Sequence, residues 1–182
     1  MKKILFTGSM IAITIISSLW LIGKDVRHAV NPSNNQSVNV NPEYAMGTYS
    51  YILAQEANSG DSDSQNTLAK MYMLGVNIRP NKQRAAYWFE KAAINGNEAA
   101  TVILATAYLY GGATLGIQKN PIKGVYWTKK VALCKSEERD TRILASKILG
   151  DMYSLGVEIP KNLNEASRWY KSALTLKNEN GG

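Results

Sequence analysis

Residues 66–96 read NTLAKMYMLGVNIRPNKQRAAYWFEKAAING, and this stretch decides the fold. Leu68 and Tyr72 are one helical turn apart and lie on one face of a helix. Gly75 follows three residues after the tyrosine and can end that helix with a positive φ. A proline in the next few residues blocks helix continuation, so the tryptophan, Trp88, belongs to a second helix. The stretch therefore predicts two helices joined by a short loop.

The same pattern occurs three times along the chain, and the loop of the second copy is three residues longer. A helix pair cannot bury its apolar face alone, so the copies are expected to stack into an all-α solenoid. The repeated side chains are then packing and turn residues and not a triplicated active site. They are Leu68, Tyr72, Gly75 and Trp88; Leu104, Tyr108, Gly111 and Trp127; and Leu149, Tyr153, Gly156 and Trp169.

An incomplete copy precedes the first repeat. Residues 49–60 read YSYILAQEANSG, and Ala57 and Gly60 fall where Ala93 and Gly96 fall in the first full copy. Ile52 stands in the place of the tryptophan. This segment is interpreted as an N-terminal capping helix for the stack.

The N-terminus predicts a membrane anchor. Residues 4–23 carry no charge and as a helix would be about 30 Å long, enough to cross a bilayer. Two lysines precede them, which favours a cytoplasmic N-terminus and places the repeats on the other side of the membrane. A cleaved signal peptide is the alternative, but its apolar core is usually shorter and ends at small residues spaced A-x-A. An uncleaved single-pass anchor is therefore expected.

Composition and motifs argue against catalysis. The chain is 45% hydrophobic and 19% charged with a net charge of +7, which is typical of a folded, mildly basic protein. It has one cysteine, Cys134, so no disulfide can form within the chain, and one histidine, His28, so a zinc site of cysteines and histidines would have to use this single ring. No nucleophile, phosphate-loop or metalloprotease motif occurs. We predict a non-enzyme without cofactor or metal, and Cys134 as an inert thiol.

These observations divide the chain into segments. The predicted boundaries are a cytoplasmic N-terminus at 1–3, the anchor at 4–23, a polar linker at 24–43, the capping helix at 44–63, repeats at 64–97, 98–136 and 137–177, and a tail at 178–182.

Residues 66–96, with their Leu–Tyr–Gly and Ala–Trp–Ala spacing, resemble the Sel1-like repeat family, and the resemblance extends over residues 50–177. It implies an α/α superhelix that binds other proteins. Some bacterial members are adaptors in envelope signalling or host interaction, and others are periplasmic immunity proteins that accompany secreted lipase toxins. The expectation is an inner-membrane protein with its repeats in the periplasm, binding a toxin. The alternative is a non-catalytic adaptor or regulator.

The first helix of each pair is expected to line the concave face of such a solenoid. The predicted partner-binding row on this face is Thr67, Lys70, Ile103, Thr106, Lys147 and Asp151. Its mixed charge favours a protein partner. A second surface is the basic stretch from Lys119 to Lys135, which suits an acidic partner or anionic lipid headgroups, or is simply a solvated helix face. No aromatic residues interleave with these lysines for stacking, so nucleic acid is not expected.

Overall fold

The structure is a computed structural model, and it describes residues 48–134 and 138–179. The described residues form seven α-helices and one short 3₁₀ helix. They are α1 (Thr48–Ser59), α2 (Ser62–Leu74), α3 (Lys82–Ile94), α4 (Glu98–Tyr110), the 3₁₀ helix (Ala113–Leu115), α5 (Pro121–Leu133), α6 (Arg139–Leu155) and α7 (Leu163–Asn178). The predicted anchor and linker lie outside the described residues. None of the described helices has both the length and the apolar character needed to cross a membrane.

The helices stack in chain order, and each packs against the helix before it and the helix after it. The repeat pairs are α2–α3, α4–α5 and α6–α7, so the predicted all-α solenoid of helix pairs is present. The repeated leucines Leu68, Leu104 and Leu149 are fully buried in the core. The tryptophans of the first two copies are buried as well, whereas Trp169 in the last helix is half-buried against the core.

Glycine ends the first helix of each pair, as the spacing predicts. Gly75, Gly111 and Gly156 have φ values of 71°, 89° and 67°, a region that residues with a side chain rarely adopt. The N–H of each donates to the carbonyl four residues earlier, at 2.8 Å for Gly75, 2.9 Å for Gly111 and 3.1 Å for Gly156. These hydrogen bonds close the helix and turn the chain into the loop.

The structure explains the small residues that flank the repeated aromatic residues. A Cβ atom on Gly124 would lie 2.5 Å from Leu109 Cδ2, and one on Gly150 would lie 2.5 Å from Tyr170 Cε1. Both distances are well inside van der Waals contact. Glycine at these two positions therefore lets the paired helices approach closely.

An asparagine caps the second helix of every repeat, a feature that the sequence analysis missed. Each lies seven residues before a tryptophan, and its backbone N–H donates to the carbonyl oxygen of the repeated tyrosine at 2.8–2.9 Å. Its side-chain oxygen accepts from the backbone N–H three residues later. The pairs are Asn81 with Arg84, Asn120 with Lys123, and Asn162 with Glu165. Asparagine is among the strongest N-caps, so this recurring residue fixes the position at which the loop ends and the second helix begins.

The longer loop of the second copy forms the 3₁₀ turn. Gly112 and Ile117 exchange backbone hydrogen bonds of 2.9 and 3.0 Å, and Leu115 is buried beneath the turn. The Lys82 Nζ atom donates to the carbonyl of Ala113 at 3.0 Å, which joins the loop to α3. The insertion is thus accommodated at the edge of the stack without disturbing the helix pair.

Helix α1 ends as the second helix of a repeat does. Gly60 and Gly96 have φ values of 105° and 94°, and each N–H donates to an alanine carbonyl, Ala57 at 3.2 Å and Ala93 at 3.3 Å. The next residue in each case caps the following helix. Ile52, in the place of the tryptophan, is exposed. The end of α1 therefore has the same backbone geometry as the end of α3.

Candidate partner-binding site

The turn from α3 to α4, here called the first junction, is held by polar contacts. Asn97 caps α4 by accepting from the N–H of Ala100 at 2.9 Å, and its Nδ2 atom donates to Asp63 Oδ1 at 2.8 Å. Asn95 Nδ2 donates to Gln65 Oε1 at 3.0 Å. Both side-chain contacts run from the turn between α3 and α4 back to α2. They tie the first helices of repeats 1 and 2 together.

The connection from α5 to α6, here called the second junction, is built differently. Helix α5 ends at Leu133, Cys134 is extended, and α6 begins after Glu138, with residues 135–137 outside the described residues. The Glu138 side chain makes no capping hydrogen bond to the helix and accepts instead from the Thr141 hydroxyl at 3.0 Å. Helix α6 has 17 residues against 13 in α2 and α4, and the extra turn is at its start.

A groove of about 440 Å³ lies at the second junction, between α4 and α6 with α5 as its floor. We call it the α4–α6 groove. Exposed apolar side chains line its walls: Val102 is 37% exposed, Leu144 48% and Tyr110 49%. Ile148 and the buried Val131 complete its apolar surface. A cluster of this kind, open to solvent and bounded by polar residues, is typical of an interaction site.

The charges around the groove are acidic. Glu138 and Asp140 line it at the start of α6. Near the other end, partial burial raises the pKa of Tyr110, and the neighbouring negative charge of Asp151 raises it further. Among the described residues no lysine or arginine lines this groove. Lys130 and Arg142 line a neighbouring depression of about 650 Å³ beside Cys134, and this depression shares Glu138 with the groove.

The predicted partner-binding row lies on α2, α4 and α6, but only Thr106 of its members lines the groove. Ile103 is half-buried against the core. Thr67 and Lys70 are half-buried on α2, and the Thr67 hydroxyl donates to the Asp63 carbonyl of its own helix at 2.8 Å.

The third-repeat members of the row need a correction of register. Counted back from the repeated tyrosine, Ile148 and not Lys147 matches Thr67 and Ile103, and Ile148 lines the groove. Lys147 and Asp151 are both exposed. One Asp151 oxygen accepts from the Tyr170 hydroxyl at 2.6 Å, so this carboxylate already has a partner within the chain.

The sequence analysis missed the apolar members of the groove, although a signal was present. Leu144 and Ile148 are four residues apart and therefore share a face of α6. Neither belongs to the repeat pattern. Apolar residues at helix positions that the repeat does not use for its own core were the available evidence for a surface that binds something else.

The basic stretch of the second repeat contacts other parts of the protein. Lys119 pairs with Glu158 in the next repeat. Lys129 Nζ lies 3.6 Å from Glu165 Oε2 and 5.2 Å from the centre of the Tyr153 ring. Lys123 and Lys130 lie over the rings of Tyr108 and Tyr126, at 5.2 and 5.7 Å. Lys135 is outside the described residues. The contacts of Lys119, Lys123 and Lys129 reach neighbouring helices or repeats, whereas Lys130 and Tyr126 both lie on α5.

The remaining candidates for reactive or metal-binding groups are Cys134 and clusters of histidine, cysteine or acidic residues. The Cys134 thiol is half-buried and donates to Glu98 Oε1 at 2.9 Å. Within residues 48–134 and 138–179, no three histidine, cysteine or acidic residues gather as metal ligands would. His28 is outside this part of the chain.

Three stretches of the chain match the Sel1 repeat family: residues 62–97, 99–135 and 145–178. Two similar solved structures have the same architecture. One is a Sel1 repeat protein from Oxalobacter formigenes, with 27% identity and a TM-score of 0.54 over 71% of this chain and 90% of that one. The other is c5321, a protective antigen of uropathogenic Escherichia coli strains with an SLR fold, with 28% identity and a TM-score of 0.53. That alignment covers 75% of this chain and 26% of the antigen.

No curated protein sequence matches the chain. Because the three matched stretches span more than half of its residues, the chain belongs to the Sel1 repeat family.

Proposed function

We propose that this chain is a membrane-anchored protein of the bacterial periplasm that holds one partner protein in the α4–α6 groove. Sel1 repeats commonly mediate protein–protein interaction, and the proteins that contain them are generally non-catalytic scaffolds. The uncharged stretch at residues 4–23, preceded by two lysines, supports the anchor and its orientation.

The observation that carries the proposal is the exposed apolar surface of the groove. Val102, Tyr110 and Leu144 lie on two helices that belong to different repeats, and each exposes more than a third of its surface. Burying such side chains against a partner removes apolar area from water, at roughly 25 cal/mol per Å². Binding of a partner between α4 and α6 would therefore be stabilised by this burial, whereas in the isolated chain the same side chains stay exposed to water.

In the most specific form of the proposal, the partner is a secreted toxin and this chain is its immunity protein. Neutralisation in the periplasm requires the repeats to be in that compartment. A chain that lacks residues 1–27 stays in the cytoplasm, and we expect it to give no protection against a periplasmic toxin. Full protection by this shortened chain would contradict the immunity role. An envelope adaptor in signalling or host interaction is the alternative, and it requires the same groove but a different partner.

The experiment that tests the groove is crosslinking and affinity capture with the tagged full-length chain in its own membranes. Leu144→Gln removes an apolar groove wall, and Leu155→Gln on the same helix is the control, since Leu155 is 63% exposed and lies outside the groove. We expect one stoichiometric partner that is lost with Leu144→Gln and kept with Leu155→Gln. A partner that both variants retain would place the binding surface elsewhere.

A further inference from the structure

We infer that the segment bound in the α4–α6 groove is a basic amphipathic peptide segment of the partner, with aliphatic side chains on one side and lysine or arginine beside them. This inference rests on the proposed function and adds the chemistry of the partner. It is carried by two properties of the groove that occur together: an apolar interior and an acidic boundary.

The apolar interior selects for aliphatic side chains. Its floor and lower walls are formed by the buried residues Ala105, Leu109, Val131 and Ala145. Thr128 also lines the floor, and its hydroxyl donates to the Gly124 carbonyl at 2.7 Å. A polar side chain inserted here would lose water without finding a hydrogen-bond partner on this floor. Leucine, isoleucine, valine and methionine fit this environment.

The acidic boundary selects the charge beside those side chains. Glu138 and Asp140 line one end of the groove. Arg139, between the two acids in sequence, does not line the groove. Lys129, on the floor helix, is directed to Glu165. A partner with carboxylates would place like charges together, whereas lysine or arginine would meet complementary charge.

This boundary contrasts with the chain as a whole, whose net charge is +7. An acidic surface in a basic protein attracts cationic segments locally, although the molecule as a whole repels them. Asp140 also lies in the first turn of α6, where a negative charge stabilises the helix. The test must therefore vary charge in the ligand as well as in the protein.

The test uses the full-length chain in nanodiscs of uncharged lipid, with empty nanodiscs as the blank, because cationic peptides bind anionic lipid. The probes are three fluorescent peptides that share one leucine pattern and carry lysine, glutamine or glutamate at every polar position. Fluorescence anisotropy gives the dissociation constant of each. We expect the lysine peptide to bind at least about fivefold more tightly than the glutamate peptide, since even exposed charge pairs contribute measurably and several of them act together.

Two pairs of variants assign the effect to the groove. Glu138→Gln with Asp140→Asn is expected to remove most of the charge preference. Glu90→Gln with Glu179→Gln makes the same change in net charge away from the groove and is expected to leave the preference intact. Leu144→Gln should weaken all three peptides, and Leu155→Gln none. Circular dichroism melting confirms that each variant is folded before binding is measured.

The outcomes separate the inference from the proposed function. If the glutamate peptide binds as tightly as the lysine peptide and Leu144→Gln weakens both, the groove binds peptides and the inference about charge is wrong. A charge preference that survives Glu138→Gln with Asp140→Asn also overturns the inference. If no peptide binds, or if binding ignores Leu144→Gln, the groove is not the binding site and both proposals fail.

Discussion

The two junctions join similar helix pairs but use different chemistry. At the first junction, Asn95 and Asn97 connect the turn between α3 and α4 to α2 through side-chain hydrogen bonds, and Gly96 supplies the tight turn. At the second junction, Glu138 starts α6 without a side-chain cap, and no glycine is present among the residues that join α5 to α6. The core residues of a repeat protein can thus recur while the joints between repeats diverge.

The two junctions also differ in the side chains that lie between the first helices of adjacent repeats. Counted from the repeated tyrosine, the groove residues Val102 and Leu144 have Asn66 and Ala99 as their counterparts at the first junction. The second junction therefore presents larger apolar side chains where the first has an amide and a methyl group. This larger apolar surface is the reason why the proposed binding site is placed at the second junction.

The largest expected effect comes from the helix that supports the second junction. Trp127 is 4% exposed in α5, which packs against both α4 and α6. Truncating a buried tryptophan to alanine costs roughly 3–5 kcal/mol, a large part of the stability of a small domain. We expect Trp127→Ala to unfold the stack or lower its melting temperature sharply, measured by circular dichroism.

Trp169→Ala is the matched comparison. Trp169 is half-buried in α7, which packs mainly against α6. Its loss should cost clearly less than the loss of Trp127. An equal or larger effect at Trp169 would mean that the C-terminal helix, and not the second junction, limits the stability of the stack.

A smaller effect compares the junctions directly. Asn97→Ala removes the cap of α4 and the contact with Asp63, and we expect a loss of about 1–2 kcal/mol in the free energy of unfolding. Glu138→Ala removes no cap bond, and the contact with the Thr141 hydroxyl that it loses is exposed, so its effect should be smaller, about 0.5 kcal/mol. Urea denaturation of both variants measures the difference. Equal losses would show that the two junctions are equally well tied.

Much of the fold could be predicted because repetition reveals packing. A residue that recurs three times in the same register, such as the leucine before each tyrosine, must serve a role common to all copies, and burial is that role. The recurring asparagine before each second helix carried the same information and was overlooked. The seven-residue spacing to the tryptophan was sufficient to find it.

The candidate site was harder to predict for the opposite reason. A binding surface is made from positions where the copies differ, so Val102 and Leu144 have no repeated pattern to reveal them. Exposure on a solenoid also depends on how adjacent repeats approach, which the register of one repeat does not fix. Thr106 was found because its face of α4 was predicted, whereas the groove itself required α4, α5 and α6 to be placed together.

The smallest expected effect distinguishes the last described helix from the inner ones. Tyr170 follows Trp169 where Phe89 and Thr128 follow their tryptophans, but those two residues are buried, and Tyr170 is not. Its hydroxyl donates to Asp151, and this hydrogen bond raises the pKa of Tyr170 above its ordinary value of 10.0. The folded chain therefore holds this proton more tightly than the unfolded chain does. The resulting stabilisation is fully present below pH 10.0 and is lost as the pH rises through the higher pKa of the folded state.

We expect Tyr170→Phe to be slightly less stable than the parent at neutral pH, and the difference to shrink as the pH rises above 10.0. Asp151→Asn should lower the pKa of Tyr170 in an ultraviolet titration, because the carboxylate that accepts the hydrogen bond is replaced by a neutral amide. Urea denaturation at a series of pH values measures the first effect. A stability difference that stays constant through this range would mean that the Tyr170–Asp151 contact does not hold the proton, and that Asp151 is more available to a partner than its 2.6 Å hydrogen bond indicates.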